Sequence, residues 1–494
     1  MHDLYKPFRN YIRQFPLVHS LECLWHYSEH VANNKPLPSQ MQFRNKLGQI
    51  STNTAQIYPW EIDLLTREII LNAGTVGKRS LGTWQEFSTV INRLRDLENE
   101  VSERYCSEDT VLREVHRIVH HQFPWQRKPS TQSMMRPYKI FGTLELQKIL
   151  EETTGVALDA YFQLGLACSG QFMREPGINT QQDYAILGVP REVTQKFFEH
   201  FTIPLKDLQE QTIAEQRYDD SWFYAFNPLR RWPFIQFDPG HPERVLCPIP
   251  TFLTRRFSEG IFYDVVGHAN FANAFGKAFE QYVGVVLERI LDSSFTICSE
   301  QEYWVGNNRK DGADWIVSDQ TGHLFIECKT RRLRHDAKFI VDNGGLDAAL
   351  DSMAKSIVQN YRNINEALYG KTKWKPDGLP IYPLIVTLEY WYIFSPPVNE
   401  ALTVRVHARL DYYNIDHSVL DNMPYVVASA DEFETAIRIS SKTGLAGFFG
   451  LKHTKAHRDF AIPAFSLSLF RKELEEGYKP LFAEEFRRLG LPKP

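Results

Sequence analysis

The chain has 494 residues, so two to four domains are expected. Hydrophobic residues make up 43% of it and charged residues 23%, which is the composition of an ordinary globular protein. Because the formal net charge is only −4, a nucleic-acid partner would have to be held by a local basic patch. The six cysteines form no Cys-x-x-Cys pair, which argues against a zinc ribbon and against a disulfide scaffold.

The sequence also lacks the signals of secretion and of membrane insertion. Its first seven residues are not the basic and then apolar start of a signal sequence. It contains no run of about 18 uninterrupted apolar residues, so we expect no membrane span. Cysteines scattered in this way suit a reducing compartment, and we expect a cytoplasmic protein.

The first part of the chain has the apolar spacing of α-helices. From Trp84 to Val101, apolar residues recur every three or four positions, and Thr83 with Glu86 fits a capping box at the start. We therefore expect a mostly helical N-terminal domain over 1–215, in which Pro124 ends one of the helices. The other predicted helices cover 60–72, 110–121, 143–170 and 190–211.

The pattern changes near residue 220. Short apolar segments at 232–237 and 245–249 are divided by a turn-rich loop, which predicts strands in a β-rich connector over 216–262. Farther along, helices and strands alternate, which predicts a mixed sheet covered by helices.

The elements predicted beyond the connector end in a C-terminal α/β extension over 421–494. The strand predicted over 383–394, upstream of this extension, is long and apolar enough to be central in a sheet. The predicted elements are a helix over 275–291, strands over 295–305, 314–318 and 323–328, a helix over 346–368, a strand over 383–394, and helices near 431–439 and 468–488.

Three residues in this region form a chemically informative set. Asp314 opens one predicted strand, a Gln-Thr-Gly turn follows, and the next predicted strand ends in Glu327-Cys328-Lys329. Residues two apart on a strand project from the same face, so Glu327 and Lys329 should be neighbours, and a hairpin would bring Asp314 beside them. The alternative is that these are ordinary charges on two exposed strand ends, although both Glu327 and Lys329 lie within a very apolar stretch.

Two carboxylates with a lysine suit the hydrolysis of a phosphodiester bond. Mg²⁺ prefers oxygen ligands and keeps several waters, so two carboxylates with open positions suit it. The reaction needs charge stabilisation at phosphorus and a hydroxide at neutral pH, both of which a metal ion supplies. We expect the lysine beside such a metal to have a lowered pKa, which would let it handle the proton of the water.

These residues and the order helix, three strands, helix, strand resemble the PD-(D/E)xK nuclease superfamily over about 270–395. The resemblance implies that Asp314 and Glu327 bind Mg²⁺, for which Mn²⁺ would substitute. It also implies that Lys329 helps to position and deprotonate the attacking water.

The same resemblance implies two further site residues and a fold. Glu280, on the preceding helix, would complete the site as a catalytic residue and a metal ligand, and the main-chain carbonyl of Cys328 would be a further metal ligand, with its thiol in the core. The implied fold is α/β: a restriction-endonuclease-like mixed sheet flanked by helices, in a nuclease domain over 263–420 that follows the mostly helical N-terminal domain.

The sequence departs from the superfamily pattern in three places. Ala313 stands where the proline of the superfamily name would be, and Asp311 is a second acid close to Asp314. We prefer Asp314 because an apolar strand follows it directly, and Asp311 would then lie behind it. Some members carry a Gln-x-x-x-Tyr motif on the next helix, but Gln359 and Tyr361 have the wrong spacing, so we expect Gln359 to be a solvated helix residue.

Basic residues follow the motif directly. A cluster of this kind beside a metal site can hold the phosphates on either side of the scissile bond, while the alternative is a solvated loop or helix start. The predicted nucleic-acid-binding residues are Arg331, Arg332, Arg334 and Lys338.

Two weaker patterns lie in the N-terminal half. His116 and His120 are four residues apart but lack the glutamate of a zinc-protease helix, so we expect a polar helix face there. A second nucleic-acid contact is a hypothesis for a set of basic and aromatic residues, namely Arg127, Lys128, Arg136, Lys139, Trp125 and Tyr138.

The leading hypothesis is a Mg²⁺-dependent DNA endonuclease of bacterial restriction or anti-phage defence. The helical half would recognise substrate, sense a signal, or form an oligomer with itself or with a partner subunit. One alternative is a non-catalytic nucleic-acid-binding module that keeps a nuclease fold. Another is an RNase or an exonuclease, because the same metal chemistry serves those reactions.

Overall fold

The computed structural model describes residues 1–44, 57–107, 111–127, 129–340, 344–393 and 395–489. They form a mixed α/β structure with two compact units. The first unit comprises the described residues of Met1–Thr110, His121–Phe271 and Glu484–Pro494, and the second comprises those of Val111–His120 and Ala272–Ala483.

The predicted four-part division of the chain stays a prediction. In the structure, residues 216–262 group with the preceding helices, and residues 421–483 group with the larger sheet. No helix in the described ranges is long and apolar enough to cross a membrane.

The first unit is mostly helical, as the apolar spacing predicts, and one helix, α5, is divided between the two units. Short 3-10 turns connect several of the helices. The helices are α1 (His2–Ile12), α2 (Leu17–Asn33), α3 (Pro59–Asn72), α4 (Trp84–Tyr105), α5 (Val111–Gln126), α6 (Thr131–Phe141), α7 (Leu144–Thr154), α8 (Leu158–Phe172), α9 (Arg191–Phe201), α10 (Leu205–Glu215), α11 (Pro250–Phe257) and α12 (Ile261–Val265).

Local detail in these helices differs from the prediction at two points. The Thr83 side chain accepts a hydrogen bond from the Glu86 N–H at 3.4 Å, but the Glu86 carboxylate pairs with Arg79 at 2.8 Å, so the capping box is only half formed. The prediction that Pro124 ends a helix was wrong, because α5 continues to Gln126. A proline so close to the end of a helix removes a hydrogen bond only from its last turn.

A small four-stranded sheet, in the order β1-β4-β3-β2, completes the first unit. The two strands predicted in the connector are present as the antiparallel pair β3 and β4. The other two were missed because three residues are too few to show an alternating pattern. The strands are β1 (Gly177–Asn179), β2 (Thr202–Pro204), β3 (Phe234–Gln236) and β4 (Arg244–Leu246).

The second unit is built on a five-stranded mixed sheet in the order β11-β10-β9-β8-β5, beside a separate β6-β7 hairpin. The strands are β5 (Thr296–Ser299), β6 (Glu302–Val305), β7 (Asn308–Asp311), β8 (Trp315–Asp319), β9 (Gly322–Lys329), β10 (Ile381–Thr387) and β11 (Val426–Ser429).

Helices accompany this sheet along the chain, and a π-helical segment over Ala446–Gly450 lies between two of them. The last helix extends from the end of the second unit into the chain segment assigned to the first. The helices are α13 (Phe271–Ile290), α14 (His335–Phe339), α15 (Gly345–Leu368), α16 (Pro396–Tyr412), α17 (Val419–Asn422), α18 (Ala430–Thr443), α19 (Ile462–Leu469), α20 (Arg471–Glu475) and α21 (Ala483–Arg488).

The predicted order of helix, strands, helix and strand is confirmed from α13 to β10, with corrections. The segment predicted as one strand over 295–305 contains β5 and β6, and β7 was missed, because a hairpin is inserted there. The strand predicted over 383–394 ends at Thr387. It is an interior strand, and its Pro383 is tolerated because the pairing with β11 begins only at Leu384.

The C-terminal prediction was wrong in part. The helix predicted near 431–439 is α18, but the segment predicted as one helix near 468–488 is broken into short helices. Both α16 and β11 were missed.

Strand β9 is the centre of the second unit. It pairs in parallel with β10 and in antiparallel fashion with β8, and its residues from Gly322 to Cys328 are all buried. A strand covered on both faces reads as a continuous apolar run, which is the reason that the sequence predicts it so clearly.

Helix α13 packs closely against the start of β8. A Cβ atom added at Gly284 would lie 2.3 Å from the ring of Trp315, so only glycine fits between the helix and this ring. The Trp315 Nε1–H also donates a hydrogen bond to the Glu280 carbonyl at 3.0 Å. These two contacts set the height of α13 along the strand.

We expect the Gly284→Ala variant to be destabilised by about 1–3 kcal/mol, because the added methyl group collides with the Trp315 ring. Gly276→Ala is the matched control in the same helix, since its Cβ would meet no atom within 4 Å. Alanine is the better helix former, so the control should gain about 0.5–1 kcal/mol. Urea denaturation measures both changes, and equal effects of the two substitutions would contradict the close contact.

Candidate active site

The structure brings Asp314, Glu327 and Lys329 together. Trp315 lies opposite Ile326 in the antiparallel pairing of β8 with β9, so Asp314 stands beside the end of β9. Its Oδ2 accepts a hydrogen bond from the Cys328 N–H at 2.5 Å. The Lys329 Nζ donates to Glu327 Oε1, also at 2.5 Å, as expected for residues two apart on a strand.

Glu327 is the most deeply buried member of the set. It is only 1% exposed, and its Oε2 has no hydrogen-bond partner among the residues that the structure describes. The alternative of charges on exposed strand ends is therefore wrong for Glu327. A buried carboxylate oxygen without a partner costs free energy, so such a position calls for a cation or a proton.

Glu280 lies near this set, on α13, and its side chain is partly buried. Burial raises the pKa of Glu280 to about 7, and the negative charges of Asp314 and Glu300 act in the same direction. The carboxylate of Glu280 therefore belongs to the same electrostatic cluster. Only the tertiary packing of α13 brings it close to the acids of the strands.

Glu300 is a member of the cluster that the sequence did not indicate. It lies in the link between β5 and β6, and its pKa is raised by burial and by the charges of Asp314 and Asp311. The segment Ser299-Glu300-Gln301-Glu302 contains two similar glutamates, and nothing in it distinguishes one from the other. Only the path of the chain out of β5 decides which of them approaches Asp314.

The side chain of Cys328 lies in the core, as the resemblance implies. Its thiol is buried, and burial raises its pKa well above the ordinary value. A thiol that stays protonated is a poor metal ligand. Its main-chain N–H is the group that holds Asp314.

The lowering of the lysine pKa that is expected beside a metal ion stays a prediction, since the protein groups alone shift this pKa upward. Burial alone would lower the pKa of Lys329, but Glu327 and Asp314 raise it above the ordinary value. Lys329 is 31% exposed and is held as an ammonium group. A protonated lysine here donates hydrogen bonds and stabilises negative charge.

The carboxylates around this lysine carry more negative charge than it can balance. Burial raises the pKa of Asp314, and burial together with the charge of Asp314 raises that of Glu327 to about 8. A raised carboxylate pKa means that the folded site attracts a positive charge, which either a proton or a metal ion can supply.

The acids of this cluster fit a hard cation that keeps part of its water shell better than a cation that is coordinated only by protein groups. Among the described residues, no group of three or more His, Cys, Asp or Glu side chains is arranged to hold a metal ion. Mg²⁺ needs only one or two carboxylates because it keeps several waters. The Oε2 of Glu327, which is unpaired among the described residues, and the carboxylate of Asp314 are suitable ligands.

No protein-family model matches the chain, and no curated protein matches it.

The two candidate aspartates differ in their surroundings. Asp311 is exposed at the end of β7, 3.8 Å from Arg309. Asp314 is partly buried and is fixed by the Cys328 N–H. The geometry therefore favours Asp314 as the site residue.

On helix α15, Asn360 forms hydrogen bonds to the sheet. Gln359 is exposed, as expected. Asn360 is fully buried, and its Nδ2 donates to the carbonyls of Phe325 in β9 and Leu384 in β10, at 3.0 and 3.3 Å. It ties together the strand that carries Glu327 and its parallel neighbour.

The predicted basic cluster divides into two pairs. Arg332 and Lys338 both contact Glu389, at 3.0 and 3.3 Å. Burial would raise the pKa of Glu389, but these two cations hold it below its ordinary value. Arg331 and Arg334 are exposed instead, and Arg334, with 86% of its side chain accessible, lies 3.7 Å from Asp336.

The weaker N-terminal patterns are largely absorbed by internal contacts. The polar helix face expected at His116 and His120 was wrong, because both rings are buried and His116 Nε2 donates to the Ala337 carbonyl at 3.2 Å. Of the proposed second contact, Lys139 pairs with Glu485 and Tyr138 donates to Asp159, while Lys128 lies outside the described residues.

We expect the stability of the wild type relative to Glu327→Gln to fall as pH rises. The pKa of Glu327 is about 8 in the folded protein, against 4.5 for an ordinary glutamate. Between these two pH values the unfolded chain has released this proton and the folded protein still holds it, so the free energy of unfolding falls as pH rises. The loss is at most about 1.4 kcal/mol per pH unit. Thermal denaturation in EDTA at several pH values between 5 and 8 measures it, and a constant difference would contradict the raised pKa.

Proposed function

We propose that the second unit hydrolyses phosphodiester bonds of DNA with the help of Mg²⁺. The observation that carries this proposal is the buried, unpartnered Oε2 of Glu327 beside Asp314 and Lys329. It supports a site that takes up a cation and keeps one face open to solvent through Lys329.

The architecture supports the same conclusion. Strands β5, β8, β9 and β10 are neighbours in the sheet, and β9 and β10 are parallel. Along the chain, α13 precedes β5, and α15 lies between β9 and β10. We infer that this is a restriction-endonuclease-like fold, in which the acids lie at the ends of β8 and β9.

Each residue then has a defined task. Asp314 and Glu327 would hold the metal ion, which supplies an activated water and neutralises charge on the phosphate. Lys329, as an ammonium group, would orient the attacking water and stabilise the charge that develops at phosphorus. Glu280 would accept a proton near neutral pH, since its pKa is about 7. The Cys328 N–H fixes the orientation of Asp314.

The wider role is proposed by analogy with enzymes of this architecture. A DNA endonuclease of restriction or anti-phage defence would use the first unit for recognition, sensing or assembly with itself or a partner subunit. Mn²⁺ should replace Mg²⁺, because both take oxygen ligands. Linear, circular and single-stranded DNA and RNA, tested side by side, would define the substrate and the mode of cleavage.

We expect Asp314→Asn to lower the rate of plasmid cleavage roughly 100-fold or more, on the scale of losing one strong electrostatic contact to a transition state. Asp311→Asn is the matched control, since it removes the same charge three residues away from an exposed side chain. Cleavage is followed in Mg²⁺ and in Mn²⁺, with EDTA as the blank. Equal activity of the two variants would sink the assignment of Asp314.

Absence of cleavage by the wild type has a separate meaning. If the wild type cuts none of the four substrates with either metal, the chain is a binding module and not an enzyme. Binding of DNA in EDTA that is unchanged by Asp314→Asn would then identify that module.

We expect the double variant Arg331→Ala/Arg334→Ala to bind DNA more weakly and to lower the salt dependence of binding. Each lost phosphate contact reduces the slope of log K against log salt by about 1, so the double variant should lose about 2. The matched control is Arg332→Ala/Lys338→Ala, which removes the same charge but leaves Glu389 without its partners. This control should lower the melting temperature and change the slope less than the Arg331→Ala/Arg334→Ala variant does. A larger change of slope in the control would contradict the division of the cluster.

A further inference from the structure

A cluster of positively charged side chains lies in the first unit, around the side chain of Trp125. The guanidinium of Arg255 lies over the Trp125 ring, with its central carbon 4.6 Å from the ring centre. Arg230 lies 5.6 Å from the same ring and 5.0 Å from that of Phe252. Two guanidinium groups thus contact the same aromatic ring, and aromatic faces attract cations electrostatically.

The positive charge of this pair is only partly balanced. Arg230 forms an ion pair with Asp63, whose other carboxylate oxygen accepts a hydrogen bond from Asn227 at 2.7 Å. Asp63 is therefore fully engaged. Within the described part of the chain, Arg255 has no carboxylate at ion-pair distance; its hydrogen bond goes to the Pro124 carbonyl at 2.7 Å.

The surroundings make this unbalanced charge costly. Arg255 is partly buried, and burial lowers the pKa of its guanidinium to about 10; Glu259 partly offsets this, while the charge of Arg230 adds to it. An arginine that stacks on an aromatic ring has already lost much of its side-chain freedom. It therefore loses little more when a ligand binds, and its remaining N–H groups are already oriented for that ligand.

The form of the guanidinium indicates the ligand. It presents parallel N–H donors that match two oxygens of a phosphate, and it binds phosphate more strongly than a neutral donor does. A third arginine, Arg231, is exposed and stacks on Trp232 at 4.3 Å, next to Arg230 in the chain. Arginines that alternate with tryptophans are typical of surfaces that hold nucleic-acid strands.

We propose that Arg255, together with Arg230, binds a phosphate group in the first unit. The site is separate from the acids of the second unit, and it does not depend on the proposed hydrolysis. The phosphate can belong to a nucleic-acid strand or to a free nucleotide, and these sources share the chemistry that the two arginines recognise.

The test uses the full chain with the substitution Glu327→Gln, in EDTA, so that no cleavage interferes. Three probes are compared: a fluorescein-labelled single-stranded DNA by anisotropy, and a mononucleotide and inorganic phosphate by the rise in melting temperature over chloride of equal ionic strength. We expect Arg255→Ala to weaken binding of at least one probe about 10-fold or more, the effect of losing a charge-assisted pair of hydrogen bonds. The probe with the strongest dependence identifies the source of the phosphate.

The matched control is Arg191→Ala, which removes the same charge from an exposed position at the start of α9 in the same unit. It should leave binding of all three probes within about 2-fold, as expected for a distant exposed charge. Arg255→Lys keeps the charge and should also bind the probe more weakly, because lysine lacks the paired donors.

Arg255 also caps the last turn of α5 through the Pro124 carbonyl, so its loss can lower stability by itself. For this reason the comparison rests on the response to phosphate and not on the melting temperature without ligand. If none of the probes binds the parent chain, or if Arg255→Ala responds to every probe as the parent does, Arg255 is a capping residue and the phosphate site is overturned.

Discussion

Trp315 of β8 lies opposite Ile326 of β9, and the candidate active site depends on this register. It places Asp314 beside the main-chain N–H of Cys328, between the two charged residues of β9. A shift by one residue would turn the charged face of β9 toward the opposite side of the sheet. The close packing of Gly284 on Trp315 also depends on it, and that packing is what brings Glu280 near the other acids.

The site that results is a place where burial works against charge. Glu327 is buried in the most apolar strand of the unit, with one oxygen paired to Lys329 and the other without a partner. A buried carboxylate oxygen without a hydrogen bond costs free energy. Perturbed acids in a buried cluster are typical of sites that bind cations or transfer protons, which supports the proposed role of Glu327.

The first unit contains the opposite imbalance. Around Trp125, one of the two guanidinium groups is paired with a carboxylate, and the other lies on an aromatic ring without an ion-pair partner among the described residues. Aromatic faces stabilise a cation without neutralising it. We therefore propose a ligand of the opposite sign for each cluster, a metal ion for the acids and a phosphate for the arginines.

The sequence by itself determined the helical character of the first unit, the order of the main helices and strands from α13 to β10, and the set Asp314, Glu327 and Lys329. It could do so because β9 is covered on both faces, and because residues two apart on a strand must share a face. Helices with a long apolar stripe, such as α4 and α15, show the same kind of local signal.

Only the tertiary structure decided the residues whose roles depend on distant partners. Glu300 joins the acids because the chain leaves β5 toward Asp314, and Asn360, not Gln359, reaches the sheet because it is on the inner face of α15. Arg332 and Lys338 are taken by Glu389, which lies more than 50 residues farther along the chain. Short strands and ion pairs of this kind leave no periodic trace, since their energy comes from contacts that exist only after the chain has folded.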